Sequence, residues 1–276
     1  MEYPLDVSMR RVGERPGAAG GLYGAPPSDP DRWIRCAEVD AEWYRGWEGR
    51  IAASLHGEYG RTDVTAAAAL ALIWYAGVPG RLGGAAFREA RRVPRLGRAE
   101  VAFRLGRDEP FIEGYALLDT RFWCLPDDPD AAHPAATVVS DERALAARLR
   151  AEVDGHAEGF LRDIRPGARL PRRALRGAFC DGIAVGIWVA GDQSAAAAEA
   201  ILRDAGLLLS GGVAERGTTS MDVVTDVLGR DHVCMTRACC CYLFRVVDHG
   251  RACATCPRVP ARERPLVLAR DHEHGH

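Results

Sequence analysis

The sequence predicts an α+β fold that is mostly helical, with a small antiparallel sheet and a cysteine-rich loop near the C-terminus. Three observations support this prediction. Apolar residues recur at helical spacing on both sides of the middle third, and that third alternates apolar and polar residues as strands do. Five of the nine cysteines then fall between residues 239 and 256. Helices and strands that occupy separate stretches of a chain are typical of α+β proteins.

The first two helices are predicted in the N-terminal third. Over residues 39–55 apolar side chains recur at every fourth position after Asp40, which is a favourable N-cap residue. A second helical pattern covers residues 63–75. Gly77 and Pro79 follow it directly, so we expect the second helix to end there.

The middle third is predicted to form the sheet. Residues 99–105 alternate, with valine, phenylalanine and leucine on one side. Residues 111–118 and 121–126 are two further apolar stretches, and they flank a turn signal at Asp119 and Thr120. We therefore expect these two stretches to pair as neighbouring antiparallel strands.

Helices return after the sheet. Residues 136–142 predict a short strand followed by a helix that Ser140 caps and that continues toward Phe160. Two more helices are expected, one after Pro171 and one over residues 192–209. The first of these has a stripe of small residues that favours close packing against a neighbouring backbone: Ala178, Gly182, Gly186 and Ala190.

Composition and charge exclude several classes of function. The formal net charge is -2, so the chain has no global basic field for nucleic acid. All 36 basic residues are arginine, which excludes lysine Schiff bases. The longest apolar run, over residues 66–78, is too short to span a bilayer, and the N-terminus does not resemble a secretory signal. We expect a cytoplasmic protein, where disulfides are rare and clustered cysteines serve as metal ligands or redox groups.

The cysteine cluster is the strongest functional signal. Cys253 and Cys256 have the C-x-x-C spacing that lets two thiolates converge on one metal, and the remaining ligands must come from residues 239–241. Consecutive residues of a strand point to opposite faces, so the backbone must become irregular there. Four thiolates are typical of structural zinc or of an iron–sulfur cluster. Zinc sites usually have two C-x(2–4)-C steps and this chain has one, but both alternatives stay open.

The motif RACCCYLFR at residues 237–245, followed by CATCP at residues 253–257, resembles the C-terminal signature of FhuF-type ferric-siderophore reductases. The resemblance covers about 25 residues. It implies a 2Fe-2S cluster and two flanking arginines that bind substrate or cluster sulfur. Carried over residue by residue, the ligands and electron-transfer residues are Cys240, Cys241, Cys253 and Cys256, and the arginines are Arg237 and Arg245.

The resemblance has one departure. Eleven residues separate Cys241 from Cys253, one more than is usual in the family. This insertion leaves Cys239 and His249 as alternative ligands.

The resemblance also implies the activity and the partners. It implies a cytoplasmic oxidoreductase that releases iron from a ferric siderophore by one-electron reduction. The electron comes from an external ferredoxin, flavodoxin or NAD(P)H-dependent reductase, since the chain has no dinucleotide-binding motif or P-loop. The expected organisation is a flexible tail at 1–30, a siderophore-binding α+β body at 31–232, a cluster segment at 233–260 and a tail at 261–276.

Two other hypotheses belong to different functional classes. In one, the same thiolates hold structural zinc and the helical body binds a partner without catalysis. In the other, the cluster is a redox sensor, which is disfavoured because no basic DNA-reading segment accompanies it. Four further cysteines stand singly in apolar surroundings and are predicted to be buried core residues: Cys36, Cys124, Cys180 and Cys234.

Overall fold

A computed structural model describes residues 3–14, 22–24, 33–190, 195–209, 219–248 and 250–273. The helices are α1 (Pro4–Gly13), α2 (Ala41–Tyr59), α3 (Val64–Ala90), α4 (Glu142–Asp163), α5 (Arg172–Val189), α6 (Ala195–Leu208) and α7 (Arg264–Glu273). The strands are β1 (Leu22–Gly24), β2 (Trp33–Arg35), β3 (Arg92–Pro94), β4 (Val101–Leu105), β5 (Ile112–Leu117), β6 (Phe122–Cys124), β7 (Ala136–Val138), β8 (Ser220–Thr225) and β9 (Asp231–Thr236).

The predicted α+β class is confirmed. The described strands form three small sheets, with orders β1-β5-β4-β2, β3-β6-β7 and β8-β9. Most neighbouring strands are antiparallel, but β1 pairs with β5 and β6 pairs with β7 in parallel. Helices α1 to α6 pack around a common core that also includes part of the cysteine loop.

Helices α3 and α5 cross at the centre of the molecule with their backbones in contact. A Cβ atom added at Gly182 would lie 2.8 Å from the carbonyl oxygen of Ala76, and one added at Gly80 would lie 2.5 Å from the carbonyl carbon of Gly182. Only glycine permits this approach. The predicted role of the small-residue stripe on α5 as a packing surface is therefore confirmed.

Helix α3 is longer than the sequence predicts. It continues through Gly77 and Pro79 to Ala90, although proline removes one backbone hydrogen bond and disfavours a helix interior. Almost every α3 residue from Ala66 to Phe87 is buried. Burial on all sides of the helix outweighs the local cost of proline, so the expected end at Gly77 and Pro79 was wrong.

The other predicted helices form, with one cap corrected. Asp40 caps α2 by accepting a hydrogen bond from the Trp43 amide at 2.8 Å, as predicted. The cap of α4 is Asp141, which accepts from the Ala144 amide at 2.8 Å, whereas Ser140 donates to the Asp141 carboxylate. The helix predicted over residues 192–209 is found as α6.

The middle strands pair differently from the expectation. Strand β5 pairs with β4 across the turn that begins at Gly106, whereas β6 pairs with β3 and β7 in another sheet. The stretches on either side of Asp119 are therefore strands, but not partners of each other. The sequence shows the turn without showing that the chain changes sheets there.

Both expected tails contain a packed helix. Within residues 1–30, α1 buries Leu5, Met9 and Val12, which lie on one face at helical spacing. Within residues 261–276, α7 buries Leu268 against Cys234 and their neighbours in a small second core. After α6, residues 211–218 lie outside the described part of the chain, and β8 begins at Ser220.

No single helix in the described residues is long and apolar enough to cross a bilayer. Helices α2 and α3 meet that test only when taken together, and they are bent by 118° where they meet.

Candidate cluster site

The cysteine-rich loop begins where strand β9 ends. After Thr236 the backbone leaves the β8-β9 ladder, and the Arg237 amide donates to the carbonyl of Thr255 at 3.0 Å. This bond joins the first cysteine group to the second. Cys256 closes a tight turn by donating its amide to the Cys253 carbonyl at 3.0 Å. The two halves of the motif are thereby brought together at one site.

The four predicted ligands form two pairs. The sulfur atoms of Cys240 and Cys256 lie 3.5 Å apart. Two thiolates on one tetrahedral metal lie about 3.8 Å apart when metal–sulfur bonds are about 2.3 Å long, so this pair has nearly the spacing of two ligands. Cys241 and Cys253 are linked through an arginine instead of a sulfur–sulfur contact, because both sulfur atoms lie close to the same guanidinium nitrogen of Arg237.

A shared proton links the first pair. The hydrogen bond from the Cys256 thiol lowers the pKa of Cys240 to about 6, and the same bond raises the pKa of Cys256 above its ordinary value. The amide of Tyr242 also donates to the Cys240 sulfur, at 3.4 Å. Of the two thiols, Cys240 therefore loses its proton more readily, and the thiolate is the form that binds metal.

The guanidinium of Arg237 lies between the sulfur atoms of the second pair. Its Nη2 is 3.2 Å from Cys253 Sγ and 3.8 Å from Cys241 Sγ. Burial alone would lower the pKa of Arg237, but the negative charges of Cys241, Cys253 and Asp181 raise it above the ordinary value. Arg237 thus faces the cysteines and contacts two of their sulfur atoms, while its predicted part in substrate binding stays a prediction.

Arg245, the second arginine of the motif, lies on the surface. Its guanidinium is 3.4 Å from the Asp63 carboxylate and stands 4.8 Å from the centre of the Tyr242 ring. Arg258 covers the same ring at 4.9 Å. These two exposed arginines cover the buried ring of Tyr242 and form a cationic edge beside Cys240 and Cys241. The predicted role of Arg245 in binding an anion stays a prediction.

Cys239 lies apart from the four candidate ligands. It is fully buried, and burial raises the pKa of its thiol well above the ordinary value. Its sulfur contacts only the carbonyl of Cys240, at 3.7 Å, among the hydrogen bonds of the described chain. A neutral buried thiol is a poor ligand. The other alternative ligand, His249, lies outside the described residues.

The four lone cysteines are buried, as predicted: Cys36, Cys124, Cys180 and Cys234. Burial raises the pKa of both Cys36 and Cys180 to about 12, so these two thiols stay protonated at neutral pH.

The site also includes groups that the sequence did not indicate. Asp181 on α5 accepts hydrogen bonds from two amides of the cysteine loop, and Arg258 follows the C-x-x-C step. Arg258 was detectable as a basic residue two positions after Cys256. Asp181 was not, because 57 residues separate it from Ala238.

In the part of the chain that the structure describes, no three His, Cys, Asp or Glu side chains converge as one metal-binding group. The candidate thiols are instead arranged two by two. Comparisons of the chain with known protein families, with curated proteins and with solved structures found no match. The functional argument therefore depends on the residues of the site.

Proposed function

We propose that this protein is a cytoplasmic ferric-siderophore reductase that holds a 2Fe-2S cluster on Cys240, Cys241, Cys253 and Cys256. The observation that carries the proposal is the arrangement of these cysteines in two pairs, with a 3.5 Å sulfur separation in one and a shared guanidinium in the other. The resemblance of the motif to FhuF-type reductases supports the same reading.

The paired arrangement suits a two-iron cluster better than a single zinc ion. In a 2Fe-2S cluster each iron takes two cysteine ligands, so two separate sulfur pairs are required. A zinc ion requires four sulfurs around one point. The sulfurs of Cys240 and Cys256 have nearly the spacing of two ligands on one metal, and no third His, Cys, Asp or Glu side chain of the described residues converges with them as a four-ligand zinc site would need.

An unpaired polar atom gives a second test of fit. The Nε of Arg237 is buried and has no hydrogen-bond partner among the described residues. Leaving a buried donor without an acceptor is costly. A cluster offers additional sulfur acceptors at this place, so the donor set of the site fits the proposed cofactor.

The proposed chemistry balances with one electron. A 2Fe-2S cluster held by these cysteines would supply one-electron chemistry, which matches the single electron that an external donor must deliver to convert Fe(III) of the chelate to Fe(II). Hard oxygen donors hold Fe(II) less tightly than Fe(III), so the reduced iron leaves the siderophore. The residues of this chain hold the sulfurs, supply hydrogen bonds to them and set their access to solvent.

The surface of the site permits contact with both reaction partners. Cys253 is exposed, whereas Cys240 and Cys256 are buried. Arg245 and Arg258 add positive charge to the exposed edge and favour an approach by anionic groups. The external donor and the ferric siderophore would both reach the cluster from the Cys253 side.

Anaerobic purification with iron and sulfide analysis tests the proposal. We expect a red-brown protein with about two irons and two sulfides per chain. Dithionite should bleach its visible bands, and an added ferric siderophore should restore them while one Fe(II) per cluster is captured by an Fe(II)-specific chelator. Cys253→Ser should abolish the colour, and Cys124→Ser is the control at a buried cysteine outside the site.

Each result has a separate meaning. A colourless protein with stoichiometric zinc would overturn the proposal in favour of a structural zinc site. A coloured protein whose reduced cluster is not reoxidised by ferric siderophores would keep the cofactor and overturn the activity.

A further inference from the structure

Asp181 is a buried carboxylate on α5 that contacts the cysteine loop. Only 2% of the residue is exposed. Its Oδ1 accepts from the Ala238 amide at 2.8 Å and from the Thr219 hydroxyl at 2.7 Å, and its Oδ2 accepts from the Cys239 amide at 2.9 Å. Both oxygen atoms are therefore used, and two of the three donors belong to the backbone directly before Cys240.

These bonds replace the sheet ladder. The β8-β9 pairing ends at Thr236, so the amides of Ala238 and Cys239 have no strand partner in it. A buried amide needs an acceptor, and Asp181 provides one for each. The side chain of α5 thus fixes the backbone at the point where it turns out of the strand toward the cysteine doublet.

A second contact from α5 fixes the same segment. A Cβ atom added at Gly177 would lie 2.3 Å from the Cβ of Ala238, so the absence of a side chain at Gly177 lets the loop approach the helix. Gly177 and Asp181 are one helical turn apart and lie on the same face. The two contacts hold Ala238, two residues before Cys240, through both its side chain and its backbone.

The charge of Asp181 also acts on the site. Its carboxylate accepts from the amide of Cys239, the residue directly before Cys240, so the charge lies close to the site. A negative charge near a cluster disfavours the addition of an electron, since the reduced form is more negative. Asp181 thus acts on the site through geometry and through charge.

We infer that Asp181 is a positioning residue for the 2Fe-2S site, where it holds the Ala238–Cys239 backbone and lowers the reduction potential of the cluster. The inference depends on the proposed function. It concerns a residue that binds neither the cluster nor the substrate and acts through the loop.

Asp181→Asn tests the inference because it keeps the size of the side chain. The asparagine NH2 group would replace one of the two accepting oxygens and face an N–H or O–H donor, so at least one of the three hydrogen bonds is lost. We expect cluster loss to an iron chelator to accelerate by about tenfold to 100-fold, as is usual for partners of ligand groups. We also expect the reduction potential at pH 8 to shift to more positive values.

Two other variants complete the test. Asp204→Asn is the matched control, because Asp204 is also a fully buried carboxylate but bonds Arg88 and Arg91 between α3 and α6. It should change neither the potential nor the rate of cluster loss. Thr219→Val removes one donor and keeps the carboxylate, so it should accelerate cluster loss by a smaller factor, and it serves if Asp181→Asn does not fold.

The outcomes separate this inference from the proposed function. If the wild type has a cluster and Asp181→Asn keeps the wild-type potential and rate of cluster loss, the positioning role is overturned and the function stands. If Asp181→Asn does not fold and Thr219→Val behaves as the wild type, the role is overturned as well. A wild type without a cluster overturns both.

Discussion

Serine substitutions at the three adjacent cysteines distinguish the cluster ligands from their neighbour. Cys239 is a neutral thiol in the core, whereas Cys240 is paired with Cys256 and Cys241 contacts Arg237. We expect Cys239→Ser to keep a full cluster with a modest change in potential. Cys240→Ser and Cys241→Ser should each lose the cluster or grossly alter it, because each removes one of four thiolates.

The cost of Cys239→Ser should be a loss of stability. The thiol is fully buried and its one described hydrogen bond, at 3.7 Å, is a weak thiol contact. A hydroxyl in that position is shorter and more polar, so it is left without a good partner at a cost of about 1–3 kcal/mol. For a chain of this size each kcal/mol lowers Tm by about 2–4 °C.

The assay combines iron and sulfide content, visible spectra and thermal unfolding of variants purified anaerobically. Cys124→Ser, at a fully buried cysteine of β6, is the control for the stability cost of a buried hydroxyl. Loss of the cluster in Cys239→Ser with retention in Cys241→Ser would refute the reasoning. The doublet would then be Cys239 and Cys240, and the eleven-residue gap would be one residue longer.

Three further predictions concern stability. Cys253→Ser and Cys256→Ser should both abolish the visible spectrum, but only Cys256→Ser should lower the Tm of the cluster-free protein, because Cys253 is exposed and Cys256 is buried in the main core; equal Tm values would contradict this. Gly182→Ala should lower the free energy of unfolding by about 1–3 kcal/mol, since its Cβ would lie 2.8 Å from a backbone oxygen of α3. Denaturant titrations measure this free energy. The control is Gly155→Ala, where nothing lies within 4 Å of the added Cβ, and it should stabilise α4. An unchanged free energy of unfolding in Gly182→Ala would argue against the close crossing of α3 and α5. Burial lowers the pKa of His156 from 6.5 to about 4, so as pH falls this side chain is protonated in the unfolded chain before it is protonated in the folded protein. The free energy of unfolding should therefore decrease between pH 6.5 and pH 4, by at most about 1.4 kcal/mol per pH unit. His156→Gln should flatten that dependence in thermal unfolding, and an unchanged slope would assign it to other groups.

Helices could be predicted where local signals and burial agree. The Asp40 cap and the four-residue spacing after it located α2, and the small residues of α5 indicated its contact with another helix. A single residue type was a less reliable guide to where a helix ends. Pro79 predicted the end of α3, but packing on every side of that helix decided its length.

Strand partners and the terminal helices depend on tertiary contacts. Nothing in the stretch around Asp119 indicates that β5 and β6 belong to separate sheets, because the pairing is decided by β3 and β4 elsewhere in the chain. Helices α1 and α7 are short, and short helices are stable only when their apolar faces are covered. Their coverage depends on surfaces that are distant in sequence.

The candidate site was predictable to the extent that it is a local motif. The spacing of the cysteines and of Arg237 is contained in residues 237–256, and the structure brings both halves together. The contribution of α5 is not local. Asp181 reaches the loop only because α5 crosses α3 in the core and presents one face to residues 237–239, and no spacing pattern records that arrangement.

The cysteine site lies partly within the main core of the protein. Cys239, Cys240 and Cys256 belong to the main hydrophobic core, and Arg61 and Asp63 of the body pair with Asp248 and Arg245 of the loop. The exposed face of the site is limited to the side of Cys253. A buried lining on one side and an exposed edge on the other are what an electron-transfer site requires, since the protein must hold the sulfurs rigidly while a donor and a chelate reach them.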